Sequence, residues 1–425
     1  MATFAWILVA CAGCGVALYS IGMWATTRHK RLRPPTLADD RLPPVSMLKP
    51  IKGLEEQLAE NLRTFFEQDY PAPLEIVFAS TERDDPGMDV ARCLASEYPH
   101  VRVRFVRSDA AFGLNPKVAN LAGAMGAASH DLVLQSDANV RARPDYLRRV
   151  VSELLAADAS LLTSMVVGVG ERSAGAALEN LQLSAFIGPA MCTALHVAGI
   201  NCVVGKSMLL RRSELATLGG LELVRDILAE DFILGREYQR AGLKVVLSAT
   251  PVENVNERIG IDQFFARHSR WLKMRAVIHV GGFVADLLVN PVALLTAAVL
   301  VSGFDPLITA LLVGVALLKT MGDAFLMRLV RGKALRPRHM FLSPVKDVIM
   351  GVAWLYSVAS RSVVWRGVRL RLLKDSRLAP APDRRRPSVP APPYGGSPIL
   401  EVLSSTPAPP RRALSPSGGA SLEAR

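Results

Sequence analysis

Cysteine is scarce in this sequence, which has 5 cysteines among 425 residues. So few cysteines exclude a disulfide framework, and nothing in the sequence indicates an oxidising compartment. Cys11 and Cys14 lie within an apolar stretch, where such a pair is typical of packing rather than of redox or metal chemistry. Internal repeats are absent as well, which excludes a repeat architecture.

Acidic residues are too few to balance the basic ones, since 38 Asp and Glu stand against 50 Lys and Arg, a formal net charge of +12. Much of the excess lies in residues 28–33, 328–338, 361–374 and 384–386. Three of these clusters flank apolar stretches, which favours a role in membrane topology and in contacts with anionic lipid. We therefore expect the membrane, and no nucleic acid, as a partner.

Basic residues are missing before the first apolar run, residues 3–25, and follow it instead at residues 28–33. A cleaved signal peptide has the opposite arrangement. The run is long enough to span a bilayer. Residues 1–27 are therefore interpreted as a transmembrane anchor that leaves the following chain in the cytoplasm. High Ala and Arg usage indicates a bacterial source, which predicts the inner membrane as the location.

Apolar segments return at residues 281–365, which are interpreted as C-terminal membrane segments. Residues 283–301 and 306–326 are each long enough to cross a bilayer. Residues 341–365 are interrupted by charged residues, so a spanning and an interfacial arrangement both stay open.

The C-terminal residues 376–425 are rich in Pro, Ser, Ala and Arg. A segment of this composition cannot build a hydrophobic core. It is predicted to be a disordered tail.

The region between the membrane segments, residues 44–280, alternates short β-rich runs with helical patterns. Such alternation favours an α/β fold with a mostly parallel sheet. This region is interpreted as the cytoplasmic catalytic domain. The predicted strands are residues 45–48, 75–79, 101–106 and 131–135, and the predicted helices are residues 57–68, 89–97, 118–128 and 145–155.

Carboxylates follow two of the predicted strands. Asp137 comes directly after residues 131–135, and Asp84 and Asp85 follow residues 75–79. Open α/β sheets bind ligands at the carboxyl ends of their strands, so these positions suit a ligand site. Taken alone, each is as typical of a turn, and Pro86 favours that interpretation for the second pair.

Further candidates lie later in the chain. Asp231 belongs to an acidic pair that is also typical of a helix start. Arg270 and Trp271 fit a phosphate clamp and a stacking platform, and equally fit a basic interfacial helix. Lys117 and Asn120 are candidates to contact donor phosphates, although a Lys early in a helix is by itself uninformative. A nucleotide-sugar transferase needs such groups to hold a diphosphate, to deprotonate the acceptor and to stabilise the leaving group.

Taken together and in this order, the motifs resemble ceramide glucosyltransferase and its bacterial relatives, which are inverting glycosyltransferases of GT-A fold that act on lipids. The resemblance runs from residue 44 to residue 280 and continues more loosely to residue 372. The motifs that carry it are SMLKPIKG at 46–53, FFEQDYP at 65–71, DDP at 84–86, NPKVANL at 115–121, SDANV at 136–140, AEDF at 229–232 and RHSRW at 267–271.

The resemblance implies a fold class and a role for each matching residue. The fold is an α/β GT-A nucleotide-sugar-binding domain with N- and C-terminal transmembrane helices. Asp85 is expected near the uracil and ribose, Asp137 on a Mg²⁺ or Mn²⁺ ion that binds the diphosphate, and Asp231 as the general base. The expected substrate-binding residues are Lys49, Asp85, Lys117, Asn120, Arg267, Arg270 and Trp271.

The sequence departs from the family pattern at two places. Asn139 stands where many such enzymes have the second carboxylate of an Asp-x-Asp pair, which bears on how tightly a metal is held. Agreement with the family is poorest at residues 172–197, a region expected to approach the acceptor. The resemblance therefore specifies the acceptor less closely than the type of reaction.

The implied reaction is transfer of glucose from UDP-glucose to ceramide in a single inverting displacement. The partners would be a UDP-sugar donor and a lipid acceptor. A hopanoid or other lipid glycosyltransferase that uses UDP-glucose or UDP-N-acetylglucosamine is the alternative within the class. A polysaccharide synthase and a non-catalytic membrane scaffold are the alternatives outside it.

Overall fold

A mixed eight-stranded sheet is the main feature of the computed structural model, which describes residues 2–365 and 368–380. The strand order is β3-β2-β1-β4-β7-β6-β8-β5. The strands are β1 Val45–Pro50, β2 Leu74–Ser80, β3 Arg102–Arg107, β4 Leu132–Ser136, β5 Val140–Arg141, β6 Leu161–Val169, β7 Ser207–Arg211 and β8 Val245–Val255.

The first half of the sheet confirms the four predicted strands, which are β1 to β4 and run parallel to one another. The second half differs from the expected mostly parallel sheet. β7 is antiparallel to both β4 and β6, and β5 is antiparallel to β8, while β6 and β8 are parallel. A strand that enters beside β4 from the opposite direction has its first residues at the carboxyl end of β4.

The helices pack on both faces of the sheet and extend beyond it. The four predicted helices of the first half are confirmed as α2 to α5. The helices are α1 Ala2–Lys30, α2 Leu58–Phe66, α3 Pro86–Glu97, α4 Pro116–Ala127, α5 Tyr146–Ala156, α6 Ala174–Gln182, α7 Gly188–Ala198, α8 Arg212–Thr217, α9 Glu230–Arg240, α10 Ile261–Ile278, α11 Val280–Leu288, α12 Pro291–Ser302, α13 Pro306–Arg331, α14 Pro337–Met340 and α15 Leu342–Ala359.

Capping residues start the two helices that follow β2 and β3, which are α3 and α4. The Asp85 carboxylate accepts a hydrogen bond from the N–H of Gly87 at the start of α3. The Asn115 side chain accepts hydrogen bonds from the N–H groups of Lys117 and Val118 at the start of α4. Each cap is followed by a proline, the residue best suited to the first helical position. These caps fix where α3 and α4 begin relative to the strand ends.

Four helices in the described part of the chain are long and apolar enough to cross a membrane, and the pair α11–α12, bent by 68°, makes a fifth candidate. The predicted runs 3–25, 283–301 and 306–326 lie in α1, in α11–α12 and in α13. Residues Pro337–Ala359 are a candidate as well. The remaining candidate, Ala174–Ala198, was not predicted from the sequence; it consists of α6 and α7 joined by a π-helical turn, Leu183–Ile187.

Buried charges join three of the apolar helices. The Lys319 ammonium lies 3.2 Å from the Asp323 carboxylate and 3.0 Å from the Asp347 carboxylate, and the Lys346 ammonium lies 3.2 Å from Asp347. The Tyr19 hydroxyl of α1 donates to Asp323 at 2.7 Å. Mutual pairing is how charged side chains are accommodated within apolar helices. Lys346 and Asp347, which interrupt residues 341–365 in the sequence, are thus directed into the protein interior.

A three-stranded antiparallel sheet follows α15 in the described residues. Its strands are β9 Ser362–Trp365, β10 Val368–Leu372 and β11 Leu378–Pro380. β11 falls within the predicted tail, residues 376–425. The rest of that tail, residues 381–425, lies outside the described residues.

Candidate active site

Four of the predicted site residues meet at one edge of the sheet. Lys49 lies near the end of β1, Asp137 directly follows β4, Lys117 lies in the first turn of α4 and Asp231 in the first turn of α9. The antiparallel entry of β7 adds Lys206, the residue just before it. The topology therefore gathers three lysines and the acidic residues at the carboxyl ends of β1 and β4, where open α/β sheets bind ligands.

Asp137 is held between two ammonium groups. One carboxylate oxygen lies 3.0 Å from Nζ of Lys117 and the other lies 3.1 Å from Nζ of Lys206. Burial acts to raise the pKa of Asp137, but the two lysines outweigh it and keep the pKa below its usual range. Asp137 is therefore ionised at neutral pH, with its charge balanced by the lysines.

Lys117 also binds the second acidic group of the site. Its Nζ lies 2.9 Å from the Glu230 carboxylate, which is buried. Burial acts to lower the pKa of Lys117, but the charges of Asp137, Glu230 and Asp231 outweigh it and raise the pKa. Burial also raises the pKa of Glu230, in spite of Lys117. Lys117 is thus the central cation of a cluster of three carboxylates.

Two backbone N–H groups orient the Asp231 carboxylate. Oδ2 accepts a hydrogen bond from the N–H of Gly205 at 2.5 Å, and Oδ1 accepts one from the N–H of Phe232 at 2.8 Å. Gly205 is also close to Lys117, because its carbonyl accepts from Nζ at 3.1 Å. A Cβ at residue 205 would lie 2.9 Å from that Nζ and 3.0 Å from Oδ2 of Asp231. A side chain at residue 205 would therefore crowd the Lys117 ammonium and the Asp231 carboxylate.

Lys49 is buried at the base of the site. Its side chain is fully buried, and Nζ donates to the Ser136 hydroxyl at 3.0 Å and to the Asp137 carbonyl at 3.2 Å. The ammonium also lies 3.0 Å from the centre of the Phe65 ring. Burial lowers the pKa of Lys49 well below its usual value, and the nearby charge of Asp137 opposes this only in part. Lys49 thus fixes the turn that presents Asp137.

Asp85 and Asn120 hold the loop that follows β1. The Asp85 carboxylate accepts from the N–H of Gly53 at 2.9 Å and from the Ser80 hydroxyl at 2.9 Å. The Asn120 amide donates to the carbonyl of Ile51 at 2.8 Å. Asp85 and Asn120 are buried, at 1% and 2% relative exposure. In this structure they shape the edge of the site through residues 51–53.

The RHSRW residues lie on α10 and form a second group around a buried carboxylate. Glu179, on α6, lies 3.0 Å from the Arg267 guanidinium and 3.0 Å from Nε2 of His268. The His268 ring packs edge-on against Trp271, with 5.1 Å between ring centres, and Trp271 also packs against the sheet core. Arg270 is half-buried on the same helix. α6 thus positions the motif.

The sequence reasoning missed three residues of the site. Lys206 and Gly205 reach it only through the antiparallel entry of β7, which no local pattern reveals. Glu179 carried a signal that was overlooked. It is the one acidic residue in the apolar segment 174–198, and a carboxylate in such a segment is expected to pair with a cation.

With this geometry in view, the sequence was compared with known families, and residues 5–378 match Glycosyl transferase family 21. The chain belongs to this family. The match covers the sheet, the apolar helices and the first part of β11. It confirms the resemblance found in the motifs and the fold class predicted from them, a GT-A α/β domain with apolar helices at both ends.

The curated proteins similar to this chain include ceramide glucosyltransferases. Ceramide glucosyltransferases 3 and 1 of Caenorhabditis elegans are each 29% identical, over 264 and 251 residues that cover 61% and 58% of this chain. The ceramide glucosyltransferase of Komagataella phaffii is 32% identical over 192 residues, 40% of this chain. The matches span 56%, 52% and 38% of these relatives, so this chain matches about half the length of the two from Caenorhabditis elegans.

Solved structures with a related fold include a mannosyltransferase from Pyrobaculum calidifontis in complex with GDP-Man and Mn²⁺. It is 16% identical, with a TM-score of 0.48 and coverage of 84% of this chain and 97% of its own. TarS 1–349 of S. aureus in complex with UDP-GlcNAc is 13% identical, with a TM-score of 0.38 and coverage of 78% and 97%.

The C-terminal strand β11 and the turn before it brace the segment that leads into α9 of the family 21 chain. The Ser376 hydroxyl accepts from the N–H of Ala229 at 3.1 Å, and its carbonyl accepts from the N–H of Leu228 at 3.0 Å. Asp375, which pairs with Arg236 at 2.7 Å, and Ser376 both have positive φ, of 55° and 54°. Non-glycine residues persist in that conformation when their surroundings hold them there.

We expect Ser376→Ala to reduce turnover several-fold and to leave UDP affinity unchanged. The variant leaves the buried N–H of Ala229 without a partner, directly before Glu230 and Asp231, and an unmade buried hydrogen bond costs about 1–3 kcal/mol. Steady-state kinetics and UDP titration of purified protein measure the two effects. Ser129→Ala, on the far side of the sheet domain, is the control. An unchanged kcat in Ser376→Ala would show that the hydrogen bond between Ala229 and Ser376 has no effect on the site.

Proposed function

We propose that the chain transfers glucose from UDP-glucose to ceramide with inversion at the anomeric carbon. The observation that carries the proposal is that a group of lysines and an oriented carboxylate lie together at one edge of the sheet. Lys117 and Lys206 supply positive charge beside Asp137, and Asp231 presents a carboxylate oriented by two N–H groups next to Lys117. A transferase needs this combination of a diphosphate site and a base.

The reaction is a single displacement. The carboxylate of Asp231 takes the proton of the primary hydroxyl of the acceptor as the hydroxyl oxygen attacks the anomeric carbon. The bond between that carbon and the UDP oxygen breaks, and the electron pair leaves with the diphosphate. Lys117 and Lys206 lie at the strand ends, where the diphosphate is proposed to bind. Their positive charges would stabilise the negative charge that grows on it. Asp85 and Asn120 shape the nucleotide end of the site through residues 51–53.

Asp137 is the candidate ligand of a divalent cation that is held mainly by the donor, and such an ion would displace a lysine from one of the two paired oxygens of Asp137. In the described residues no group of three or more His, Cys, Asp or Glu side chains is arranged for a metal. The Asp137 carboxylate is partly exposed, at 20%, and Mg²⁺ commonly uses one or two carboxylates together with substrate phosphates. Asp137 would hold the ion, which would supply Lewis-acid stabilisation of the leaving group.

We expect EDTA to abolish transfer and Mg²⁺ or Mn²⁺ to restore it. Asp137→Ala should weaken UDP binding mainly in the presence of metal, because this carboxylate would hold the cation that stabilises the diphosphate. UDP titration with and without Mg²⁺, on wild type and variant, measures the coupling. Full activity after exhaustive chelation would remove the metal from the proposal and leave the lysines as the cationic groups.

The catalytic domain is proposed to face the cytoplasm of a bacterial inner membrane. The candidate membrane helices support a membrane protein. Basic residues follow α1 and α13, and clusters of this kind stay on the cytoplasmic side.

We expect an impermeant maleimide to label Cys93 in inverted membrane vesicles and not in intact cells. Cys93 is a native cysteine that is exposed on α3 of the sheet domain, so no cysteine needs to be introduced. Mass spectrometry of the peptide that contains Cys93 reports the labelling, and Cys93→Ser is the control. Labelling of Cys93 from outside intact cells would reverse the proposed orientation.

The substrate assignment is tested with a panel of donors and acceptors. Purified protein in detergent is given UDP-glucose, UDP-galactose or UDP-N-acetylglucosamine with ceramide, diacylglycerol or a hopanoid polyol. The proposal requires β-glucosylceramide from UDP-glucose and ceramide. A glycosylated hopanoid without glucosylceramide would support the alternative lipid glycosyltransferase. A polymer would indicate a polysaccharide synthase, and no product with any pair would favour the scaffold.

A further inference from the structure

A pocket lies between α10 and the apolar helices α11 and α15. Part of this pocket is open to the outside. Its walls are largely apolar, with Phe186 and Ile187 on one side and Met350 and Trp354 on another. A few polar side chains, among them Gln182 and Asp286, also line it. Apolar walls with a few placed polar groups are typical of a ligand site.

Gln182 is the polar group that most needs an explanation. The residue is 2% exposed and lines the pocket. Within residues 2–365 and 368–380 its side-chain amide makes no hydrogen bond, and the amide is not fully shielded because it keeps some exposure in the pocket. Polar groups with so little access to water usually have a hydrogen-bond partner in native proteins. The pocket is the space from which that partner would come.

Asp286 supplies a second polar group to the same space. One of its carboxylate oxygens lies 2.9 Å from the guanidinium of Arg275, which also lines the pocket. The other oxygen has no hydrogen-bond partner in the described part of the chain. A ligand hydroxyl in the pocket could donate to this second oxygen. Gln182 and Asp286 together offer one amide and one acceptor to a ligand whose remainder is apolar.

The pocket is connected to the RHSRW motif. His268 and Trp271 form part of its lining, and Glu179, one turn before Gln182 on α6, holds His268 at 3.0 Å. Phe186 and Ile187 lie in the π-helical turn that follows Gln182. Such turns occur frequently at functional sites because they redirect side chains from the helical spacing.

We infer that this pocket binds the polar junction of an N-acylated, hydroxylated two-chain lipid, with Gln182 paired to its amide. The inference rests on the proposed function and adds the acceptor subsite to it. The Gln182 side chain offers an NH₂ donor group and a carbonyl acceptor, which can pair with the C=O and N–H of a secondary amide. Asp286 accepts from a hydroxyl, and the apolar walls contact the chains. A diacylglycerol lacks the amide N–H that would complete Gln182.

The test compares Gln182→Leu with wild type, using a short-chain ceramide and its N-methyl analogue, which lacks the amide N–H. Wild type should prefer the ceramide about three- to tenfold in kcat/KM, the range expected for one hydrogen bond. Gln182→Leu should lose that preference and raise the KM for ceramide, with the KM for UDP-glucose unchanged. Leu355→Ala, on the exposed face of α15, is the control and should behave like wild type.

The outcomes separate this inference from the proposed function. Glucosylceramide formation by wild type tests the function. If wild type makes it and Gln182→Leu keeps the same preference over the N-methyl analogue, the pocket assignment fails and the function stands. If wild type glycosylates only other lipids, the function fails and the amide-binding role fails with it. A Gln182→Leu protein that loses UDP-glucose affinity equally would show a general structural defect, and it would overturn the specific role.

Discussion

Asp231→Asn reduces turnover by a factor of about 10²–10⁴, the range for loss of a general base, while UDP still binds. The amide keeps the size of the side chain but cannot accept a proton at neutral pH. One of the two N–H groups that Asp231 now binds, from Gly205 or Phe232, would face the NH₂ of the new amide. Pre-steady-state measurement of product formation with ceramide separates the chemical step from product release.

Glu230 is the residue that could replace Asp231 in this role, so it belongs in the same experiment. It pairs with Lys117 at 2.9 Å and is buried, which suits a structural carboxylate. Glu230→Gln should therefore affect stability more than the chemical step. Glu237→Gln, on the same helix beside Arg236 and Arg240, is the control. If Glu230→Gln lost the chemical step and Asp231→Asn kept it, the base would be Glu230.

The sheet edge could be predicted because its signals are local. β1, β2 and β4 are largely buried strands, and each ends where a loop at the edge of the candidate site begins. The caps Asp85 and Asn115, each followed by a proline, mark the helix starts in the sequence itself. Residues whose place follows from a strand end or a cap, such as Lys117 and Asp137, were therefore found.

The rest of the site depends on contacts between distant parts of the chain. Lys206 reaches Asp137 because β7 pairs with β4 in the antiparallel sense, which a period-two pattern does not encode. The brace of Ser376 on Ala229 joins residues 147 positions apart. The segment 174–198 has the composition of a membrane helix, and the pairing of its buried Glu179 with Arg267 and His268 relates it to the site.

The contacts of Arg267 also depend on a distant part of the chain and could not be predicted from the sequence. The resemblance implied that Arg267, Arg270 and Trp271 act together on the donor and acceptor. The structure gives Arg267 a buried carboxylate partner, Glu179, and gives Trp271 a place in the wall of a pocket. The motif therefore contains both a residue that anchors α10 to α6 and a residue that faces the proposed acceptor.

Lys117→Met destabilises the protein by about 3–5 kcal/mol at neutral pH, the range for removing one partner of a buried ion pair. Lys117 is the shared cation of Asp137 and Glu230, at 3.0 and 2.9 Å, and also lies near Asp231. Without it, Glu230 is buried beside two other carboxylates. Thermal unfolding of the purified protein in detergent measures the loss, and Lys244→Met, at an exposed lysine, is the control.

The pH dependence of this loss identifies its cause. Burial already raises the pKa of Glu230, and removing Lys117 takes away the charge that opposes the shift. A carboxyl with a raised pKa in the folded state destabilises the fold above that pKa and ceases to do so as pH falls toward its unfolded value of about 4.3. The destabilisation of Lys117→Met relative to wild type should therefore be greatest in alkaline buffer and shrink on acidification. Adding Glu230→Gln should recover stability at neutral pH, because it removes the unpaired buried charge. A deficit that is independent of pH and unrelieved by Glu230→Gln would mean that Lys117 acts by packing, with no electrostatic role at the centre of the cluster.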